Sequence, residues 1–98
     1  MREVNPNEVE ELLKNNKDVK ILDVREDEEV AQGIIPDAIH IPLGFVDTRF
    51  EELDQSKDYI VVCRSGRRSA AACEFLEEQG FKVSNMTGGM LEWDGPVK

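Results

Sequence analysis

The sequence predicts an α/β domain in which a mainly parallel sheet has helices on both of its faces. Short apolar runs alternate along the chain with segments of helical spacing, an order that is typical of parallel strands joined by helices. A length of 98 residues suits one domain, which we expect to span residues 1–98. An apolar content of 40% and a charged content of 34% fit a folded chain rather than a disordered one.

The first half of the chain is predicted to contain two helices and two strands. Asn5 suits the N-cap of a helix, Pro6 suits its first position, and Glu8 can complete a capping box. This helix is expected to end near Asn15 and Asn16. The elements that follow are a strand over 19–24, an acidic helix over 26–32 that Gly33 ends, and a strand over 38–41 between Pro36 and Pro42.

The second half is predicted to contain two strands and the strongest helix of the chain. The elements are a short helical turn over 48–53, a strand over 59–63, a helix over 67–79 that ends at Gly80, a strand over 81–86, and a helical turn over 90–93. Ligands of parallel sheets bind at the carboxyl ends of the strands. The loop that follows strand 59–63 is therefore the expected position of a functional site.

That loop reads Cys63-Arg64-Ser65-Gly66-Arg67-Arg68-Ser69 and has three arginines and no acid, in a chain of formal charge −9. Guanidinium groups and the free N–H groups at a helix start bind anions. The same surroundings lower the pKa of a thiol and favour the nucleophilic thiolate. Gly66 lets the backbone approach a ligand closely. We therefore predict that Cys63 is a reactive nucleophile within an anion-binding loop.

The side chains around the loop are expected to have different roles. Arg68 is predicted to bind Asp23, which ends a neighbouring strand and would support the loop. Arg64 and Arg67 are expected to face the substrate or solvent. Cys73 lies on the helical stripe that faces the core, which indicates a structural thiol.

The composition of the chain excludes several classes of partner. An excess of 21 acids over 12 bases disfavours a nucleic-acid ligand. No apolar run approaches the roughly 20 residues that cross a bilayer, and the first residues lack the apolar core of a secretory signal. We therefore expect no membrane partner and a cytoplasmic location. Two cysteines ten residues apart fit neither a disulfide framework nor a metal-binding pair, and nothing in the sequence requires a metal ion or an organic cofactor.

Four stretches of the chain, taken in order, carry a resemblance to a known family. They are Leu22-Asp23-Val24-Arg25-Glu26 with Glu29, then residues 33–43, then the loop from Cys63 to Ser69, and finally Gly88-Gly89-Met90 with Trp93. In this combination the chain resembles the rhodanese-like sulfurtransferases. It differs at Ile34, where the family usually has histidine, and at Asp37, where it usually has glycine, and both differences bear on the geometry of one turn.

The resemblance implies a three-layer fold with a five-stranded sheet and a sulfurtransferase activity. In that scheme the Cys63 thiolate takes the outer sulfur of thiosulfate or of another persulfide donor, including a persulfide carried by a protein. The Cys63 persulfide then passes its sulfur to cyanide, a thiol or a protein acceptor. The amides of residues 64–69 would hold the terminal sulfur, and the arginines would attract the anionic donor.

Two other functions stay open on the sequence. Related phosphatases and arsenate reductases have an arginine after a cysteine and five further residues, whereas this chain has Ser69 there and Arg68 one position earlier. We expect the tighter loop to accommodate one extra sulfur atom rather than a phosphoryl group with its oxygens, which favours sulfur transfer. The other alternative is a binding module that retains the fold without catalysis.

Overall fold

The computed structural model describes residues 1–15 and 18–98. Its strands are β1 (Arg2–Val4), β2 (Val19–Asp23), β3 (Ile39–His40), β4 (Asp58–Val62) and β5 (Lys82–Met86). Its α-helices are α1 (Pro6–Asn15), α2 (Asp27–Val30), α3 (Val46–Arg49) and α4 (Arg67–Glu78), and 3-10 turns cover Leu43–Phe45, Phe50–Glu52 and Gly89–Glu92. Over these residues the strands form one five-stranded sheet in the order β1-β5-β4-β2-β3, in which every neighbouring pair is parallel.

The sheet has an apolar core on each face because side chains alternate in direction along its strands. From the central strand β4, Tyr59 and Val61 point into a core shared with α4, and the adjoining Cys63 belongs to the same core. Ile60 and Val62 point into a second core, which is shared with α1. The predicted three-layer α/β arrangement is therefore confirmed.

The start of α1 has the predicted capping box. The Asn5 backbone N–H donates to Glu8 Oε1 at 2.9 Å, and the Glu8 backbone N–H donates to Asn5 Oδ1 at 2.8 Å. Both groups lie where a helix leaves its first donors without internal partners. The helix ends at Asn15, and the alternative predicted end, Asn16, lies outside the described residues.

Several elements differ from the sequence-based expectation in length, and one is additional. The strand β1, which no apolar run indicates, pairs residues 2–4 with residues 84–86 at the edge of the sheet. Two of its three residues are exposed, so it has no buried alternation that a pattern could reveal. The predicted helix over 26–32 is shorter, at Asp27–Val30, and the predicted strand over 38–41 is reduced to Ile39–His40.

The turn between α2 and β3 forms without the glycine that is usual in the resembled family. Asp37 occupies it with a φ of 67°, in the left-handed region. Aspartate enters this region more readily than most residues that have a side chain, because its short polar group can bond to the local backbone. The substitution therefore preserves the turn.

The central strand β4 determines where the site lies. It has two strands on each side, and Cys63 is the first residue after its end at Val62. The cysteine is thus at the carboxyl edge of the sheet, where the loops after all of the parallel strands converge. None of the helices in the described part of the chain is long and apolar enough to cross a membrane.

Candidate active site

Cys63 lies beneath a tight loop that leads from β4 into α4. Only 1% of the residue's surface is exposed. Gly66, with a φ of 102°, turns the chain back over the sulfur, and its backbone N–H donates to Cys63 Sγ at 3.0 Å. Residues with a side chain rarely adopt this backbone conformation, so glycine is required for this turn.

The surroundings of Cys63 lower the pKa of its thiol. Burial is the largest single influence and acts in the opposite direction. The backbone N–H groups of Ser69, Gly66 and Ser65, together with the Ser69 hydroxyl when it turns to donate to the sulfur, outweigh it. Unpaired N–H groups of this kind are available at the first turn of a helix. The loop therefore favours the thiolate, which is the form that acts as a nucleophile.

The 3-10 turn after β5 holds the loop from outside. The Met90 N–H donates to the Cys63 carbonyl oxygen at 2.8 Å, and the Leu91 N–H donates to the Arg64 carbonyl oxygen at 3.0 Å. Gly89 approaches the loop so closely that a Cβ on it would lie 2.4 Å from the Arg64 carbonyl oxygen. The glycine of this turn is therefore needed for contact with the cysteine loop.

Ser69 and Asn85 form a buried pair beside the sulfur. Ser69 Oγ lies 3.3 Å from Cys63 Sγ, and the Ser69 hydroxyl donates to Asn85 Oδ1. Asn85 Nδ2 donates in turn to the Gly66 carbonyl oxygen at 3.1 Å. The loop motif does not indicate Asn85. The available sequence signal is its alternation with Val83 in β5, which directs both side chains toward α4.

Arg68 binds Glu29, so the predicted pair of Arg68 with Asp23 is wrong. The two terminal nitrogens of Arg68 lie 2.6 and 2.8 Å from the Glu29 carboxylate oxygens, and this bond lowers the pKa of Glu29 to about 2. The fully buried Asp23 carboxylate is held instead by Arg25, through contacts of 2.9 and 3.0 Å. Arg25 is only two residues from Asp23, whereas α2 brings Glu29 within reach of the start of α4.

Asp23 nevertheless supports the site through Arg25. The same guanidinium donates to the Gly33 carbonyl oxygen at 2.7 Å and to the Glu29 carbonyl oxygen at 3.4 Å. The buried ion pair thus fixes the end of α2, and α2 presents the Glu29 carboxylate to Arg68. Support reaches the loop by this indirect path rather than by direct contact with Asp23.

Three ionisable side chains on or near the loop remain, two arginines at the surface and one cysteine in the core. Arg64 and Arg67 are exposed at the rim of the loop, and within the described part of the chain neither has an ion-pair partner. Cys73 is completely buried in the core on α4. Burial, assisted by the negative charge of Glu77, raises the pKa of the Cys73 thiol to about 12, so it stays protonated at neutral pH.

The fold and the loop together define a class of α/β protein in which a buried cysteine with a lowered pKa lies beneath a loop at the carboxyl edge of a parallel sheet. The family model described as "Rhodanese-like domain" matches residues 5–95, and the chain belongs to that family. It is similar to YtwF of Bacillus subtilis, with 44% identity over 98 residues that cover 100% of this chain and 95% of YtwF.

Two further comparisons agree with this assignment. The thiosulfate sulfurtransferase GlpE of Coxiella burnetii is 33% identical over 84 residues, which cover 85% of this chain and 78% of GlpE. The crystal structure of a rhodanese-like domain protein from Staphylococcus aureus has a TM-score of 0.94 at 36% identity, and the match covers 100% of this chain and 97% of that one. The chain therefore has relatives that are named as sulfurtransferases.

Proposed function

We propose that this protein is a sulfurtransferase that carries a sulfane sulfur as a persulfide on Cys63. The observation on which the proposal rests is the bond of 3.0 Å from the Gly66 N–H to Cys63 Sγ, in a loop whose Ser65 and Ser69 amides also lower the pKa of the thiol. A small ring of N–H donors suits one additional sulfur atom that has a negative charge.

The reaction consists of two displacements at sulfur. In the first, the Cys63 thiolate attacks the outer sulfur of thiosulfate, a new S–S bond forms as the old one breaks, and sulfite leaves with the electron pair. The persulfide has its charge on the terminal sulfur, where the amides of residues 64–69 stabilise it. In the second, cyanide, a thiolate or a protein acceptor attacks this terminal sulfur, and Cys63 leaves as the thiolate.

Thiosulfate is the donor that the relatives support, since GlpE is named a thiosulfate sulfurtransferase. Arg64 and Arg67 supply exposed positive charge for a dianion at the rim of the loop, in a chain whose formal charge is −9. A persulfide on another protein is the second class of donor. It needs the same nucleophile and the same stabilisation of the terminal sulfur.

The loop gives less support to phosphoryl or arsenate chemistry. An enzyme of that kind needs a loop arginine that is free to bind the oxygens of its substrate. Arg68 is bound through both terminal nitrogens to Glu29, and Ser69 occupies the position at which the related phosphatases have their arginine. A module without catalysis is the remaining alternative, and it is separated from the proposal by experiment.

The test is intact-mass spectrometry after incubation with thiosulfate, on the wild type, Cys63→Ser and the matched control Cys73→Ser. We expect the wild type and the Cys73 variant to gain one sulfur atom and to lose it on addition of cyanide. We expect no gain in the Cys63 variant. If a reduced, alkylatable Cys63 gains no sulfur from thiosulfate or from a protein persulfide, the proposal is wrong. Cys63-dependent hydrolysis of an aryl phosphate or reduction of arsenate would then support the alternative.

A further inference from the structure

The side chains of Asn85, Ser69 and Cys63 form a hydrogen-bonded chain, in which the Ser69 hydroxyl proton can point toward Asn85 or toward the sulfur. Asn85 Nδ2 donates to the Gly66 carbonyl oxygen at 3.1 Å, which turns Asn85 Oδ1 toward Ser69. A carbonyl oxygen only accepts hydrogen bonds, so the Ser69 hydroxyl proton lies on the bond to Asn85. Ser69 then has only lone pairs to offer Cys63 Sγ, which is 3.3 Å away.

The direction of this one hydroxyl suits an uncharged sulfur better than a bare thiolate, and it therefore opposes the backbone N–H groups that lower the pKa of Cys63. A neutral Cys63 thiol can donate its own proton to Ser69 Oγ, so that each bond of the hydrogen-bonded chain has one donor and one acceptor. A thiolate would face the lone pairs of Ser69 unless the hydroxyl rotates and donates to Sγ. Asn85 Oδ1 then loses its donor, and only 4% of Asn85 is exposed, so the unpaired oxygen is unfavourable.

We propose that Asn85 is a positioning residue that directs the Ser69 hydroxyl, so that the hydroxyl donates to Asn85 when Sγ is uncharged and to Sγ when the sulfur is a bare thiolate. The consequence of this role of Asn85 for catalysis rests on the proposed sulfur transfer. When the sulfane sulfur is added, the negative charge moves from Sγ to the terminal sulfur. The hydroxyl then returns to Asn85, and Asn85 thereby favours the persulfide over the bare thiolate.

Other ionisable groups surround Cys63 and must be kept constant in any test. They are Arg64 on the loop, Arg67, Arg68 and Cys73 on α4, Glu29 bound to Arg68, Asp23 at the end of β2 with Arg25 after it, and Glu92 on the 3-10 turn near Gly88. The side chain from β5 that reaches the loop is Asn85 itself, which is uncharged. A double-mutant cycle changes none of these groups, so their effects cancel in the difference.

The experiment measures the pKa of Cys63 from the pH dependence of its alkylation by iodoacetamide, located by peptide mass spectrometry. The cycle consists of the wild type, Asn85→Ala, Ser69→Ala and the double variant, without any sulfur donor. Loss of the Asn85 bond to Gly66 loosens the loop in both backgrounds. Only in the Ser69 background does it also free a hydroxyl for the thiolate. We expect Asn85→Ala to increase the acid dissociation constant of Cys63 in the wild-type background. This increase should be about fivefold larger than the one that Asn85→Ala causes in the Ser69→Ala background. A factor of about five corresponds to about one net hydrogen bond.

Further variants guard against a merely structural effect. Ser69→Thr retains a hydroxyl and should retain the coupling. Ser84→Ala is the matched control, because Ser84 alternates with Asn85 and shares the other face of β5 with Met86, and it should leave the pKa unchanged. If Asn85→Ala does not fold, as judged by near-ultraviolet circular dichroism, Asn85→Leu retains the shape and replaces it in the cycle.

Two results would overturn the proposal. One is an equal change in the acid dissociation constant of Cys63 when Asn85 is replaced in the wild-type and Ser69→Ala backgrounds. The other is a decrease of that constant when Asn85 is replaced and Ser69 is present. Either result leaves Asn85 with a purely structural role. Because this measurement uses no sulfur donor, it is independent of the mass-spectrometric test. A coupling here together with no gain of sulfur by Cys63 in that test would refute the proposed function and leave this inference standing.

Discussion

Replacing Gly89 with alanine tests how strongly the 3-10 turn after β5 holds the cysteine loop. The new Cβ would lie 2.4 Å from the Arg64 carbonyl oxygen and 2.6 Å from the Cys63 carbonyl oxygen, whereas ordinary contacts of a Cβ begin at 3.4 Å. The turn and the loop must therefore separate by about 1 Å. Gly89 also has a φ of 61°, in the left-handed region that disfavours alanine.

These effects allow an estimate of how much Gly89→Ala lowers the free energy of unfolding and the rate of the Cys63 reaction. The left-handed φ costs about 1 kcal/mol, and the two strained bonds from Met90 and Leu91 to the loop cost about 1 kcal/mol each. The resulting loss of about 3 kcal/mol lowers the Tm of a domain of this size by roughly 12–24 °C. A displacement of about 1 Å at the nucleophile lowers the rate of its reaction about 100-fold.

The assay compares thermal unfolding and the rate of persulfide formation in Gly89→Ala with those in Gly44→Ala. Gly44 has no heavy atom within 4 Å of an added Cβ and no positive φ, so it is a matched control for the added methyl group. We expect the control to behave as the wild type. If Gly89→Ala unfolds and reacts as the control does, the turn does not position the loop and this reasoning is wrong.

Three further predictions concern the supports of the site. Arg25→Leu leaves the buried Asp23 carboxylate without its ion partner and should cost about 3–5 kcal/mol in urea unfolding; a loss below about 1 kcal/mol would contradict the importance of this pair. Asp37→Gly should leave Tm almost unchanged, whereas Asp37→Val should cost about 1–2 kcal/mol because of the left-handed φ of 67°, and equal Tm values for the two would refute the strain argument. The pKa of Glu29 is lowered from 4.5 to about 2 in the folded state by its bond to Arg68, so the stability it contributes is complete above pH 4.5 and is lost as the pH falls through about 2. Urea unfolding of Glu29→Gln should therefore show a weaker loss of stability with acid than the wild type, and parallel pH profiles would contradict this.

The features that could be predicted from the sequence are mainly those whose contacts are local. The capping box joins Asn5 to Glu8, and the sharp turn of the loop depends on Gly66, three residues after Cys63. The alternation of apolar and helical segments was enough for the layered fold. In the capping box and in the turn at Gly66 the interacting residues lie three positions apart, so spacing alone specifies the contact.

The contacts that could not be predicted join distant parts of the chain. Arg68 and Glu29 are 39 positions apart, and Asn85 is 16 positions from Ser69. No spacing rule states which of the 21 acids reaches a given arginine, and electrostatics alone equally favoured Asp23. The choice depends on where α2 lies over the start of α4. The edge strand β1 is a similar case. It is a strand because it pairs with β5, and its own residues show no strand pattern.

The pairing of β1 with β5 also links completion of the cysteine loop to the closing of a very long loop of chain. Residues 2–4 have their hydrogen-bonding partners in residues 84–86, and the Thr87 hydroxyl bonds the Val4 carbonyl oxygen across 83 positions. Such distant pairings form late, since a long loop must close first. The bonds from Asn85, Met90 and Leu91 to the cysteine loop belong to the same final part of the chain. A chain in which that part has not yet paired therefore lacks the bonds that hold the cysteine loop from outside, and incorporation of the last strand completes the site.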